Sequence, residues 1–191
     1  MPCPPSLLDP TPTDAPPLTI DVAVVGAGPT GAATAWHLAR RGLRVALLER
    51  RSAGVVWRAA GPALWTDAGV PSRLAAEATA LWRQVEQATG AALLHVSGGV
   101  RQVRADQATA ALTAAATAWG AQLRHCDEVV AIDAGRGGGV LVRTRAATLR
   151  AERVVLAGAG PSSLAGAPAA PVVTVPGGGS FAVPALASRA A

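Results

Sequence analysis

With 191 residues the chain can hold one domain with a real core and a small second lobe. Its formal net charge of +5 rests on arginine alone, scattered singly or in pairs such as Arg40-Arg41 and Arg50-Arg51, so the clustered basic stripe of a nucleic-acid binder is absent. Two distant cysteines, Cys3 and Cys126, suggest neither a disulfide framework nor a metal cluster, and the lack of a long apolar run or a signal-type N-terminus points away from membranes to a soluble cytoplasmic protein.

Residues 1–17 carry seven prolines and few large apolar groups, which predicts a disordered leader. From Leu18 the pattern changes. Ile20, Val22, Val24 and Val25 form a β-branched run of the kind that fills a strand buried on both faces, and it leads directly into Gly26-Ala27-Gly28-Pro29-Thr30-Gly31. In this GxGxxG turn Gly26 lets the chain leave the strand sharply, Gly28 lets a diphosphate approach the backbone, and Gly31 lets the following helix pack close to the strand. That helix runs through Ala32, Ala35, Leu38 and Ala39 to Gly42, and its free N–H groups and dipole would face the phosphates. Leu43 to Leu48 form a second strand ending at Glu49, 23 residues after Gly26, where a carboxylate accepts hydrogen bonds from an adenosine ribose. An acid there repels a 2′-phosphate and disfavours NADP. Arg50 and Arg51 are within reach of a phosphate or stand solvated past the strand.

Residues 52–71 read as a glycine- and alanine-rich loop leaving the strand end, with Arg58 and Gly61 as cofactor contacts or as ordinary loop. Ser72 is expected to cap a helix whose apolar stripe is Leu74, Ala78, Leu81, Val85 and Ala88, closed by Gly90. Ala92 to Val96 and Val100 to Val103 suggest two strands around Ser97-Gly98-Gly99, and Asp106 a second cap, for a helix ending at Gly120. Short strands are then expected at Gln122 to Arg124, Glu128 to Ile132, Val140 to Arg145 and Thr148 to Arg150. Arg153 to Ala157 forms a further buried strand running into Gly158, a second glycine turn that brings backbone beside the same nucleotide. One strand around Val172 to Val175 is expected in an otherwise Ala/Pro/Gly-rich tail.

Taken together, the first strand-helix-strand unit ending in Glu49, the Leu81-Trp82 helix with its Ser97-Gly98-Gly99-Val100 turn, the Asp106 to Gly120 helix, the Glu128-Val129 strand and Val154-Val155-Leu156-Ala157-Gly158 resemble a known family. These are the FAD-dependent amine and amino-acid oxidoreductases, the group of D-amino-acid oxidase, glycine oxidase and sarcosine oxidase. The resemblance implies an α/β fold: a glutathione-reductase-like, Rossmann-type FAD domain with a parallel central sheet and a small β-meander. It also implies hydride transfer from a C–H next to nitrogen in an amine or amino-acid substrate to the flavin. Gly26, Gly28, Pro29, Thr30 and Gly31 would then hold the pyrophosphate and Glu49 the ribose, with Arg50 beside them. The Val129 backbone would face adenine, Gly158 would lie beside the nucleotide, and Arg58 and Gly61 would fall near the flavin end.

Two departures from the family bear on this. The sides of a long substrate-domain segment are joined directly at Val103 and Arg104, and the chain ends soon after Val172 to Gly177, where the main substrate sheet would follow. The expected organisation is therefore a leader over 1–17, an FAD domain over 18–164 in which 72–103 is a vestige of the substrate lobe, and a tail over 165–191. The groups that orient substrate in the family belong to the missing parts, so no catalytic residue is named. His37 and His95 have no acid or nucleophile partner and default to structural roles. Two readings stay open: an FAD-dependent oxidoreductase whose substrate domain a second chain supplies, and a non-catalytic nucleotide-binding remnant or fragment. A third, the flavin-dependent aromatic hydroxylases, shares the glycine motif but fits the central helix and Gly-Gly-Val turn less well.

Overall fold

The chain begins with a strand, β1 (Leu18–Val25), a helix, α1 (Pro29–Ala39), and a second strand, β2 (Val45–Glu49), as expected. The computed structural model describes residues 17–52, 64–66, 72–97, 100–135, 138–157, 172–175 and 179–182. Next come β3 (Leu64–Thr66), α2 (Ser72–Thr89), β4 (Leu94–Ser97), β5 (Val100–Arg104) and α3 (Ala105–Ala118). The remaining strands are β6 (Gln122–His125), β7 (Val129–Ala134), β8 (Val140–Thr144), β9 (Thr148–Leu156), β10 (Val172–Val175) and β11 (Gly179–Ala182).

The main sheet has the order β6-β2-β1-β9-β8-β7. β6, β2, β1 and β9 run parallel, and β7, β8 and β9 form an antiparallel meander. This is the Rossmann-type arrangement: the first strand lies in the interior, later strands extend to either side, and ligands go to the crevice outside the carboxyl ends. On one face α1 and α3 pack through Ala32, Ala35, Trp36, Ala39, Ala108, Ala111, Leu112 and Ala115 onto Val22, Val24, Val45 and Leu47. Alanine on both helices permits close approach, and Trp36, 1 % exposed, is the largest fully buried side chain among the described residues. The other face buries Ile20, Ala23, Ala46 and Leu48 against Ile132, Val140, Val142, Leu149 and Val154 of the meander.

A separate three-stranded sheet, β3-β5-β4, joins β4 and β5, which with α2 fall in or at the end of the 72–103 region read as a lobe vestige, to β3 before it. Several expectations are corrected here. Of the apolar stripe on α2 only Val85 is buried, whereas Leu74 and Leu81 are 55 % and 45 % exposed; the helix instead packs through Ala75, Val85 and, in part, Trp82. Asp106 is not the cap of α3: Arg104 is, and Asp106 sits in the first turn, holding Arg104 at 2.7 Å. The strands expected at Thr148 to Arg150 and Arg153 to Ala157 are one continuous strand, β9, because β1 pairs with it on both sides of Ala151. β3 lies in what was read as loop, and β10 has an antiparallel partner, β11, in what was read as tail. Among the described residues no helix is long and apolar enough to cross a membrane, and no group of three or more His, Cys, Asp or Glu is placed to hold a metal ion.

Candidate functional site

The site is built where the parallel strands end. Val25 pairs with Leu48 of β2 on one side and Leu156 of β9 on the other, so the turn after β1 sits between two strand ends. Gly26 has φ 101°, a conformation that L side chains rarely adopt, and its N–H donates to the Leu48 carbonyl at 2.8 Å. Gly28 is the N-cap of α1 in extended conformation and Pro29 takes the first helical turn, where its missing N–H costs nothing. A Cβ built on Gly28 would meet no atom within 4 Å, so its outer side is open. A Cβ on Gly31 would run into the Gly26 carbonyl oxygen and come 3.2 Å from the Ala157 side chain, so here the glycine serves helix-strand contact. Thr30 is half-buried, and its carbonyl accepts the Thr34 hydroxyl at 2.8 Å.

Glu49 reaches back across this turn. Its Oε2 accepts the buried Ala27 N–H at 2.9 Å and its Oε1 the Arg51 N–H at 3.0 Å. One backbone donor fixes each oxygen, and each keeps a lone pair for a ligand hydroxyl. The acid is therefore held within the same crevice as the glycine turn, as the 23-residue spacing suggests. Arg50 is exposed beside it. The segment after β6 closes this edge: Asp127 N–H donates to the Glu49 carbonyl at 3.0 Å and Cys126 N–H to the Arg51 carbonyl at 3.2 Å. Val129 opens β7 two residues later and is buried.

Gly26, Gly28, Pro29, Thr30, Gly31 and Glu49 are thus brought together, with Val129 on the strand that follows the edge turn. Arg58, Gly61 and Gly158 lie outside the described residues. Sequence reading missed the bonds from Cys126 and Asp127 to the end of β2; they follow from β6 pairing beside β2, which no local pattern in 122–127 announces.

Comparison with known proteins agrees with this geometry. Residues 21–108 match the family model for FAD dependent oxidoreductases, DAO. Among solved structures, NikD, an unusual amino acid oxidase essential for nikkomycin biosynthesis, is 26% identical with a TM-score of 0.61, over 72% of this chain and 51% of that one. Glycine oxidase from Geobacillus kaustophilus is 23% identical with a TM-score of 0.61, over 72% of this chain and 55% of that one, a likeness of fold. A thiamine thiazole synthase from Desulfosudis oleivorans is 62% identical over 34 residues, 18% of this chain and 13% of that protein. The chain therefore spans about half the length of the solved relatives and a small part of the curated one. The cofactor to which these matches point is FAD.

Proposed function

We propose that this chain, whose residues 21–108 carry the pattern of FAD dependent oxidoreductases, is the nucleotide-holding part of an enzyme that oxidises an amine or amino acid. The observation that carries the reading is the open Gly28 backbone at the start of α1, facing the same crevice as a Glu49 carboxylate already fixed by two amides. These residues fit the AMP part of FAD. The Gly26–Gly31 turn and the amides of the first turn of α1 would take the pyrophosphate, where helix dipole and free N–H groups favour negative charge. Glu49 would take the ribose diol, the Val129 backbone the adenine edge, and Arg50 the solvent side of the phosphates.

Bound FAD supplies the electron sink for a hydride leaving the carbon next to the substrate nitrogen. The chain's own residues would bind and orient the nucleotide, and the glycine turn from Gly26 to Gly31 would keep side chains out of its path. The identity with a thiamine thiazole synthase favours a second reading, in which the same nucleotide site serves a synthase of that kind.

Flavin bleaching separates these. The purified chain is expected to carry or take up yellow FAD, and, once the substrate-binding part is present with it, anaerobic addition of D- and L-amino acids, sarcosine and glycine to bleach it. Flavin that binds but stays oxidised with every amine would remove the amine-oxidising part. Colourless protein that binds ADP but not FAD would indicate a nucleotide-binding remnant.

A further inference from the structure

β2 and β6 run parallel with Glu49 and His125 as register partners. Partners in neighbouring strands stand about 4.8 Å apart across the sheet and direct their side chains to the same face. His125 is the last residue of β6, so its imidazole stands at the carboxyl end of the edge strand, beside the acid that the Ala27 and Arg51 amides hold. Both ring nitrogens are buried, and neither has a hydrogen-bond partner among the described residues. A neutral imidazole offers one donor and one acceptor, and native structures seldom leave both buried and unused.

The surrounding polar groups are engaged elsewhere. The Cys126 and Asp127 amides bond to the Arg51 and Glu49 carbonyls. The buried Asp127 carboxylate pairs with Arg124 at 2.8 Å and accepts the Ala146 N–H at 3.3 Å. No described residue pairs with the His125 ring, and its register places it beside Glu49 at the end of β2.

We infer that His125 is a second sugar-binding residue, whose imidazole hydrogen-bonds a hydroxyl of the same adenosine ribose that Glu49 takes. The inference rests on the nucleotide-site reading above. Its chemistry follows from complementarity: the Glu49 oxygens can only accept, whereas each hydroxyl of a vicinal diol both donates and accepts. An imidazole beside the carboxylate supplies the missing donor and a further acceptor. The pair would thus select an intact ribose diol over a deoxy sugar.

Calorimetric titration of the full chain with ADP and with 2′,3′-dideoxy-ADP tests this. His125→Phe and His125→Leu are each expected to weaken ADP by about three- to tenfold, the range for one hydrogen bond, while leaving dideoxy-ADP nearly unchanged. The selectivity for the diol should therefore fall in both variants, a change that loss of packing would not produce because it would weaken the two nucleotides alike. The smaller Leu variant carries the test if the Phe ring disturbs folding. Equal weakening of both nucleotides, or no weakening of either, overturns the role of His125 while leaving the nucleotide site standing. A wild-type chain that binds no ADP overturns the nucleotide site and this inference with it.

Discussion

Glu86 offers a prediction in which structure fixes both size and pH range. Its Oε1 accepts the N–H groups of Leu93 and Leu94, both at 2.8 Å, and its Oε2 takes Arg83 at 2.7 Å. The side chain is 13% exposed and Leu93 is 2% exposed, so this carboxylate clips the end of α2 to the start of β4 from inside the lobe. Glu86→Ala strands the Leu93 donor in a buried setting and leaves that of Leu94 to water. One charge-assisted bond is worth about 1.5–3 kcal/mol, so a loss of about 2–3 kcal/mol at neutral pH is expected. Burial pushes the Glu86 carboxyl up, but the Leu94 and Leu93 amides and the Arg83 guanidinium together outweigh it and hold the group below its ordinary value of 4.5. A carboxyl with a depressed folded pKa adds stability above its unfolded pKa and loses it as pH falls through the folded one. The wild-type advantage over Glu86→Ala should therefore be full at pH 7 and shrink below 4.5. Urea unfolding of both proteins at several pH values measures it. Equal stability at pH 7, or a difference that does not narrow in acid, would refute the clip.

Gly31→Ala places a Cβ against the Gly26 carbonyl and should cost at least about 3 kcal/mol, because backbone yields less readily than a side chain; urea unfolding reads the loss. Glu49→Ala removes the acceptor of the buried Ala27 N–H and the proposed ribose contact, and should weaken ADP about tenfold by titration calorimetry. In the same protein Arg50→Ala should weaken ADP by no more than about threefold, as befits an exposed charge, and should do so less at high salt.

The first strand-helix-strand unit was legible because its signals are local: a β-branched run, glycines where φ or close contact requires them, and an acid at the next strand end. The meander was legible in its turns but not in the length of β9. Glu152 and Arg153 resemble a break, yet they are exposed positions of a strand that β1 pairs from Leu149 through Leu156. The α2 stripe misled for a different reason. Leu74, Ala78 and Leu81 have helical spacing, but burial depends on what lies opposite, and the face that meets the rest of the chain is that of Ala75 and Val85. The β3–β5 pairing joins Thr66 to Gln102, and the Glu49–His125 register joins strands separated by a whole lobe. Such long-range pairing leaves no trace in a short window. His125 falls one residue past the strand expected at Gln122 to Arg124, and its place beside Glu49 came only with the sheet.

Nucleotide affinity of the Gly28→Val protein is the most direct measurement of the central claim. A Gly28 side chain would meet open space in the chain alone, so the substitution should leave the melting temperature nearly unchanged. It would occupy the place of the pyrophosphate, so ADP and FAD affinity should fall by about 100-fold or more, the loss of roughly two strong hydrogen bonds plus steric exclusion. A folded Gly28→Val protein that binds ADP and FAD as tightly as the wild type would contradict a pyrophosphate site at this turn.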